Sequence, residues 1–399
     1  METYELIRND VLQRMIEISF NGYDPSAFRF SERAVKIRKA IHKLPSKLLK
    51  KTLGSLFSRA MYYLGSYSIY ILKPEKKVYA KGLALVLSGL SCEKNLKTNL
   101  INDIVTRLLA LRLQGHFLWA HNIDYSFPGG IKVTTEIPNL VTTAFVANAF
   151  FDLYKATAKN EYKKIFFNII DDVLSKIPYK FIEEGKICFM YTPVTDYHVH
   201  NANLLYAELL AKRLSLGIEE SQALNLINLI EMSVNYSISD FKETGTYPYA
   251  GPQTRNFVID NYHTGYLIRS LHEINEYTGK KLNLSFKLEE EVSKLLDFYV
   301  GNFVRNGLIV RDNKSTLESH SLAESILILR IFYDEMAHEK RCSLENAIKR
   351  TLHKLYKNEK NYFINNAKRI GPFYVKDSTE MVRWSNSWMY YSLSVLSKS

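Results

Sequence analysis

Residues 260–277 read DNYHTGYLIRSLHEINEY. A polar and aromatic cluster, Asp260-Asn261-Tyr262-His263, opens the stretch, and apolar residues follow at Leu267, Ile268, Leu271 and Ile274. That spacing predicts a helix over Tyr262–Tyr277 with a capping residue just before it. The arrangement returns along the chain. Helix starts of this kind fall near Asn139, Asn201, Asn261, Ser319 and Ser385, at intervals of 62, 60, 58 and 66 residues. A step of about 60 back from Asn139 reaches Tyr79, where YAKGLALVLSGL begins another apolar helix. Second helices are predicted over 161–175, 219–238, 288–303 and 344–357. Short extended pieces lie between, at 181–191 around a Glu184-Gly185 turn and at 361–375. Six helical hairpins in one chain predict an all-α fold, a closed (α/α)6 toroid of inner and outer helices. An open solenoid would need polar capping repeats at both ends, and no C-terminal one is visible.

Composition allows such a core. The 399 residues are 46% hydrophobic and 24% charged, which excludes a disordered, collagenous or coiled-coil chain. A chain this long buries enough surface to fold without disulfides or metal. Cys92, Cys188 and Cys342 are few, odd in number and far apart, so they predict free thiols in a reducing, cytoplasmic setting. The acidic start METYELIRND does not resemble a secretory leader. Leu56–Leu72 is the most apolar long stretch. It falls short of a membrane span and reads as a buried helix.

The net charge is +12, and 33–51 (RAVKIRKAIHKLPSKLLKK) holds eight Lys/Arg and no acid. Ile37, Ile41, Leu44, Leu48 and Leu49 make the run amphipathic, with Pro45 interrupting it. It reads either as a solvated helix face or as a basic helix on an anionic membrane surface. Nothing here resembles a nucleic-acid module. The chain divides accordingly into a basic helical segment, 1–75, packed on the toroid or on a membrane, and the toroid, 76–399.

In a toroid, helix starts of one phase converge on one end of the central cavity, and their unpaired N–H groups suit anionic or hydroxyl-rich ligands. The clusters there include His198-Val199-His200-Asn201, Glu318-Ser319-His320 and Arg383-Trp384-Ser385-Asn386. Aromatics share the phase: Trp119, Tyr125, Phe127, Tyr191, Tyr197, Tyr247, Tyr249, Tyr262, Trp384 and Trp388. Rings stack on pyranose faces, so imidazoles and carboxylates above aromatics suggest a sugar cleft. Asp124, Asp260, Tyr262, His263 and His320 are the candidate catalytic residues. Trp119, His198, His200, Asn201, Tyr249, Arg255, Glu318, Arg383, Trp384 and Trp388 are the candidate substrate-binding residues. The two-residue spacing of His198 and His200 turns them to different helix faces, and no zinc motif is present, so neither metal nor cofactor is expected. Paired carboxylates would permit glycoside hydrolysis. A His or Tyr removing a proton beside a uronic-acid carboxylate held by Arg255 or Arg383 would permit epimerase or lyase chemistry.

The run GTYPYAGPQTRNFVIDNYHTGYLIRSL, 245–271, resembles the "DGSWPYG … VDxFHTGYxL" signature of a bacterial family linked to capsule and exopolysaccharide biosynthesis. PNLVTTAFVANAFFDLYKAT, FMYTPVTDYHVHNANLL, SHSLAES and RWSNSWMYYSL resemble further stretches of it, so the likeness runs from about Trp119 to Leu396. The resemblance implies a six-hairpin glycosidase-like toroid and a polysaccharide context. Its matching positions here are Asp124, Asn201, Asp260, His263, Thr264, Gly265, His320, Trp384 and Trp388. Two departures stand out. Tyr125-Ser126-Phe127-Pro128 replaces a segment that carries an arginine, and Glu324 stands where a Gln is usual. The family is often labelled terpene-cyclase-like, yet this chain has no DxDD or DDxxD run; Asp171-Asp172 is followed by Val-Leu-Ser.

The expectation is a carbohydrate-active protein of surface polysaccharide biosynthesis at the cytoplasmic membrane face. Its partner would be an oligo- or polysaccharide, anionic or lipid-linked. Epimerase or lyase chemistry leads, with hydrolysis and a non-catalytic glycan scaffold as alternatives.

Overall fold

A computed structural model describes residues 2–126, 131–251 and 259–398. The N-terminal part holds α1 (Glu2–Glu17), α2 (Pro25–Phe30), α3 (Glu32–His42), α4 (Lys47–Leu64) and α5 (Ser68–Leu72). Five hairpins follow: α6 (Ala80–Leu90) with α7 (Thr98–Ala110), α8 (Leu140–Thr157) with α9 (Asn160–Lys176), α10 (His200–Ser215) with α11 (Glu220–Thr244), α12 (Asn261–Thr278) with α13 (Leu288–Phe303), and α14 (Ser319–Ile331) with α15 (His338–Leu355). A wide helical turn, Val382–Asn386, leads into α16 (Ser387–Leu396).

The even-numbered helices from α6 to α16 each pack on the next, and α16 returns to α6, so the inner ring is closed. The predicted (α/α)6 toroid is present. The sixth outer place is taken from the other end of the chain: α1 packs on α16 and buries Val11, Leu12 and Met15 in the common core. The ring therefore draws residues from both sides of position 75.

Inner and outer helices differ as their surroundings require. All eleven residues of α6 are buried, and α8 is buried almost all round, because the ring covers one face and the outer layer the other. In outer helix α9 only one stripe is buried: Tyr162, Phe166, Ile169, Ile170 and Val173. Glycines set two close approaches in the inner ring. A Cβ at Gly265 on α12 would run into the Glu324 side chain on α14, and one at Gly89 on α6 would meet the Tyr390 ring on α16 at 2.6 Å. Glu324, the departure noted in the sequence, is fully buried and makes a two-pronged pair with Arg269, at 2.5 and 3.2 Å. That pair answers the buried charge with a matched cation.

The expected extended pieces are antiparallel hairpins, Tyr179–Glu183 with Lys186–Phe189 and Tyr362–Ile370 with Phe373–Glu380. The reading of 56–72 as a buried helix is corrected. Leu56, Tyr67, Tyr70 and Ile71 are exposed, as are Leu48, Leu49 and Leu53. Here α4 and α5 lie outside the ring, and their apolar periodicity serves only one covered face. Among the described residues no helix is long and apolar enough to cross a membrane.

Candidate functional site

The inner helices share one register toward a cavity of about 470 Å3. The second residue of each faces it: Lys81 on α6, Val141 on α8, Asn201 on α10, Tyr262 on α12, His320 on α14, and Arg383 on the turn before α16. The sixty-residue repeat thus delivers one side chain per hairpin to one wall. Helix-turn neighbours of these positions, Thr142, His263 and Tyr266, complete the lower wall. Tyr125, Tyr191, Tyr249 and Trp384 form the aromatic rim, and Phe30 and Arg29 of α2 reach in from the side.

His263 is the most completely prepared group. Asp260 caps α12 by accepting the His263 backbone N–H at 3.0 Å, and its carboxylate also accepts from the His263 ring at Nδ1, 2.9 Å away. A proton held at Nδ1 leaves the Nε2 lone pair open, the tautomer a general base needs. Tyr249 and Tyr262 flank the ring at 4.2 Å each.

His320 is buried between two parallel rings, Tyr262 and Trp388, each 4.4 Å away, with Trp384 edge-on at 4.8 Å. Its Nε2 meets the Tyr266 hydroxyl at 2.7 Å, and its Nδ1 has no partner. Burial, reinforced by Lys81 and His263, pushes its pKa well below the usual imidazole value, so it is neutral near pH 7. The Lys81 Nζ donates to the same Tyr266 hydroxyl at 3.2 Å and sits 4.0 Å over the Phe145 ring. Burial and the nearby Arg383 hold the Lys81 pKa well below that of a free amine. Lys81, Tyr266 and His320 therefore form a continuous proton-sharing chain along the cavity floor. His121, which also lines the cavity, is pushed down to about 4 by burial and by Arg383. Three imidazoles line the cavity, and among the described residues no lining side chain is a carboxylate.

The expected residues separate into two groups. Tyr262, His263, His320, Asn201, Tyr249, Arg383 and Trp384 meet at the cavity, and the buried Asn201 Oδ1 has no partner there. Asp260 stands behind His263. The other described ones do not line it. Asp124 is exposed on a loop and accepts from the Thr135 backbone. Trp119 is fully buried, with its indole N–H on the Leu108 carbonyl, so it is a core residue. His198 meets Tyr236, and His200 is sealed between Asp240 and Ser237. Glu318 is buried under the rim, accepting from Trp384 Nε1 at 3.1 Å and pairing with Arg311 at 3.4 Å. Trp388 lies one turn below the cavity, stacked under His320. Arg255, Phe127 and Pro128 fall outside the described residues. The Arg383 guanidinium, expected on a substrate carboxylate, is paired with buried Asp24. Burial opposes ionisation of Asp24, but Arg383 and His121 hold its pKa low. Lys81, His121 and Tyr266 were not foreseen.

No family model matches the chain, and no curated protein matches it. Solved structures do. A sugar epimerase from a ruminal bacterium superposes with a TM-score of 0.59 at 12% identity, over 79% of this chain and 87% of that one. A D-mannose isomerase gives 0.59 at 10% identity, over 80% and 86%. A GH76 alpha-mannanase from Bacteroides thetaiotaomicron gives 0.52 at 12% identity, over 80% and 86%. The likeness is one of fold: the chain has the six-hairpin glycosidase-like toroid.

Proposed function

We propose that the chain is a carbohydrate-modifying enzyme that moves a proton on a sugar carbon, an epimerase, isomerase or lyase rather than a hydrolase. One observation carries this reading. The aromatic cavity gathers His263, with its Nδ1 fixed and Nε2 open, beside a neutral His320 linked to Tyr266 and Lys81. A neutral His320 beside an imidazole with an open Nε2 suits proton abstraction and return. Hydrolysis would need an acid and a base or nucleophile, usually two carboxylates facing the scissile bond. Neighbours of the same fold include an epimerase and an isomerase as well as a GH76 hydrolase, so the choice rests on the cavity.

His263 is the base and His320 the second proton-transfer group. Tyr262, Trp384 and Tyr249 offer ring surface to the sugar along the cavity wall, and Asn201 adds a polar side chain. Asp260 is a positioning residue, acting through His263. The resemblance of residues 119–396 favours a glycan of capsule or exopolysaccharide biosynthesis, free or lipid-linked, and the helix N-termini around the cavity favour an anionic one.

The test is incubation in deuterated water with neutral sugars and uronic-acid oligomers, read by NMR. Deuterium at a ring carbon without chain cleavage supports epimerase or isomerase action, and 4,5-unsaturated ends support a lyase. New reducing ends would overturn proton transfer in favour of hydrolysis. Silence across the panel, with polysaccharide product unchanged by His263→Ala, would leave a glycan-binding scaffold.

The location belongs to the same proposal. The exposed Leu48, Leu49, Leu53 and Leu56 of α4 share that helix with Lys47, Lys50 and Lys51. Apolar side chains with bases beside them suit an anionic bilayer surface, each base near it adding on the order of 1 kcal/mol. Flotation with anionic vesicles is expected to be salt-sensitive and to fall in Leu53→Glu/Leu56→Glu. No flotation at low salt would end the membrane reading.

A further inference from the structure

Beside the histidine cavity lies a second one of about 1040 Å3. The two are neighbours, with Pro25, Arg29 and Phe30 in both linings. The second cavity is built where α2–α5 meet the hairpin at 362–380, outside the ring itself.

Its charge is one-sided. Arg29, Arg38, Lys39 and Lys368 line it, with His42 beside them, against one carboxylate among the described residues, Asp377. That carboxylate is already engaged, accepting from Asn365 Nδ2 at 2.8 Å and from the Thr379 hydroxyl at 2.6 Å. Arg38 donates to the Arg29 carbonyl at 2.6 Å. Burial and the neighbouring Arg29 charge lower the Arg38 pKa, and burial lowers that of Lys368. An anion in the cavity offsets the burial of Arg38, as Asp377 and Glu318 already do in part for Lys368.

The cavity also offers neutral groups. Asn365 and Asn366 line it, and Asn365 Nδ2 is held by Asp377. Phe57 and Met61 add an apolar wall. Cations, amide side chains and an apolar face together suit a charged sugar.

We infer that this second cavity binds the neighbouring unit of an anionic saccharide whose reactive unit lies against His263. The inference rests on the proposed reaction for the reactive unit, while its binding chemistry stands on the second cavity alone. The anion is a carboxylate or a phosphate ester, both of which Arg38 and Lys368 can take.

Calorimetry with matched probes tests it. Trigalacturonate is compared with its methyl ester, and trehalose 6-phosphate with trehalose, at 20 and 300 mM salt. At least one charged probe is expected to bind on the order of tenfold tighter than its neutral match at low salt, and the advantage to shrink at high salt. Which pair shows the advantage tells carboxylate from phosphate. Arg38→Gln/Lys368→Gln is expected to abolish the advantage while leaving deuterium exchange on a small neutral sugar unchanged. Equal binding within both pairs, no binding by any probe, or an advantage kept in the folded double variant would overturn the inference. The salt series on the unaltered protein decides the matter if the variant does not fold. Absent exchange beside retained charge-selective binding would overturn the reaction and leave the subsite.

Discussion

Two histidine–carboxylate pairs stand at the starts of neighbouring inner helices. His263 with Asp260 opens α12, and His200 with Asp240 ties the start of α10 to α11. Both contacts are short, 2.9 and 2.8 Å. They differ in what the other ring nitrogen does. His200 is fully buried, its Nδ1 faces Ser237 at 3.2 Å, and Tyr236 and Phe241 cover the ring. His263 keeps 19% of its side chain exposed, and its Nε2 has no partner among the described residues. A carboxylate beside a histidine is therefore no sign of chemistry by itself. The sealed pair is a strut between two helices, and the open one is a base with its proton position fixed.

The strongest way to break this contrast is to remove each member in turn. His263→Asn is expected to lower the rate of sugar C–H exchange by about 10²–10⁴, the usual contribution of a positioned general base, with the melting temperature nearly unchanged. Asp240→Ala does the reverse. It leaves a buried N–H of His200 without its acceptor, which costs about 3 kcal/mol of stability in a denaturant titration. Exchange per folded molecule should stay intact. If Asp240→Ala silenced a fully folded protein, the strut reading of His200 would fail.

The sequence carried this distinction in its register. The sixty-residue period was legible because each inner helix is covered on both faces and reads as an apolar block after a polar start. Predicted and observed limits of the α12 helix differ by one residue at each end. What failed was direction. In the inner helices the second residue faces the cavity, so Asn201 does while His200, one position earlier, turns into the wall. Strict use of the same period would have pointed to Lys81, sixty residues before Val141. It was hidden as one cation in an otherwise apolar helix. Trp119 and Asp124 had the right phase, but they sit on a loop whose backbone path no periodicity fixes. The role of α1 left no local trace at all, because it fills the sixth outer place against α16 at the far end of the chain.

Smaller effects sharpen the comparison. Asp260→Asn keeps a good N-cap, since Asn and Asp serve equally there, but removes the carboxylate from His263 Nδ1. Stability should hold while exchange falls about 10–100-fold, as when an outer partner of a working histidine is lost. An equal loss of both would make Asp260 merely structural.

His121 offers a pH readout from the cavity itself. Its folded pKa of about 4 lies below its unfolded value near 6.5, so the fold prefers the neutral ring. The unfolded chain binds more protons between these values. The stability this preference contributes is full above about pH 6.5 and is lost as pH falls toward 4, by at most about 1.4 kcal/mol per pH unit. His121→Asn should flatten that slope in denaturant titrations across the window, and an unchanged slope would assign it to other groups.

Ser237→Ala is the mildest and most discriminating change. Asp240 takes the proton at His200 Nε2, so Nδ1 is an acceptor and the Ser237 hydroxyl donates to it. Asn203 Nδ2, which also meets that hydroxyl at 3.1 Å, keeps the Ser233 carbonyl at 2.9 Å. Only one acceptor is then left unpaired, and the expected cost is about 1 kcal/mol in stability with exchange kinetics unaltered. A tenfold loss of rate at unchanged stability would mean that the sealed pair reaches the cavity through the α10 start. In that case His200 would be a positioning residue for Asn201, and burial of both ring nitrogens would no longer separate a strut from a working histidine.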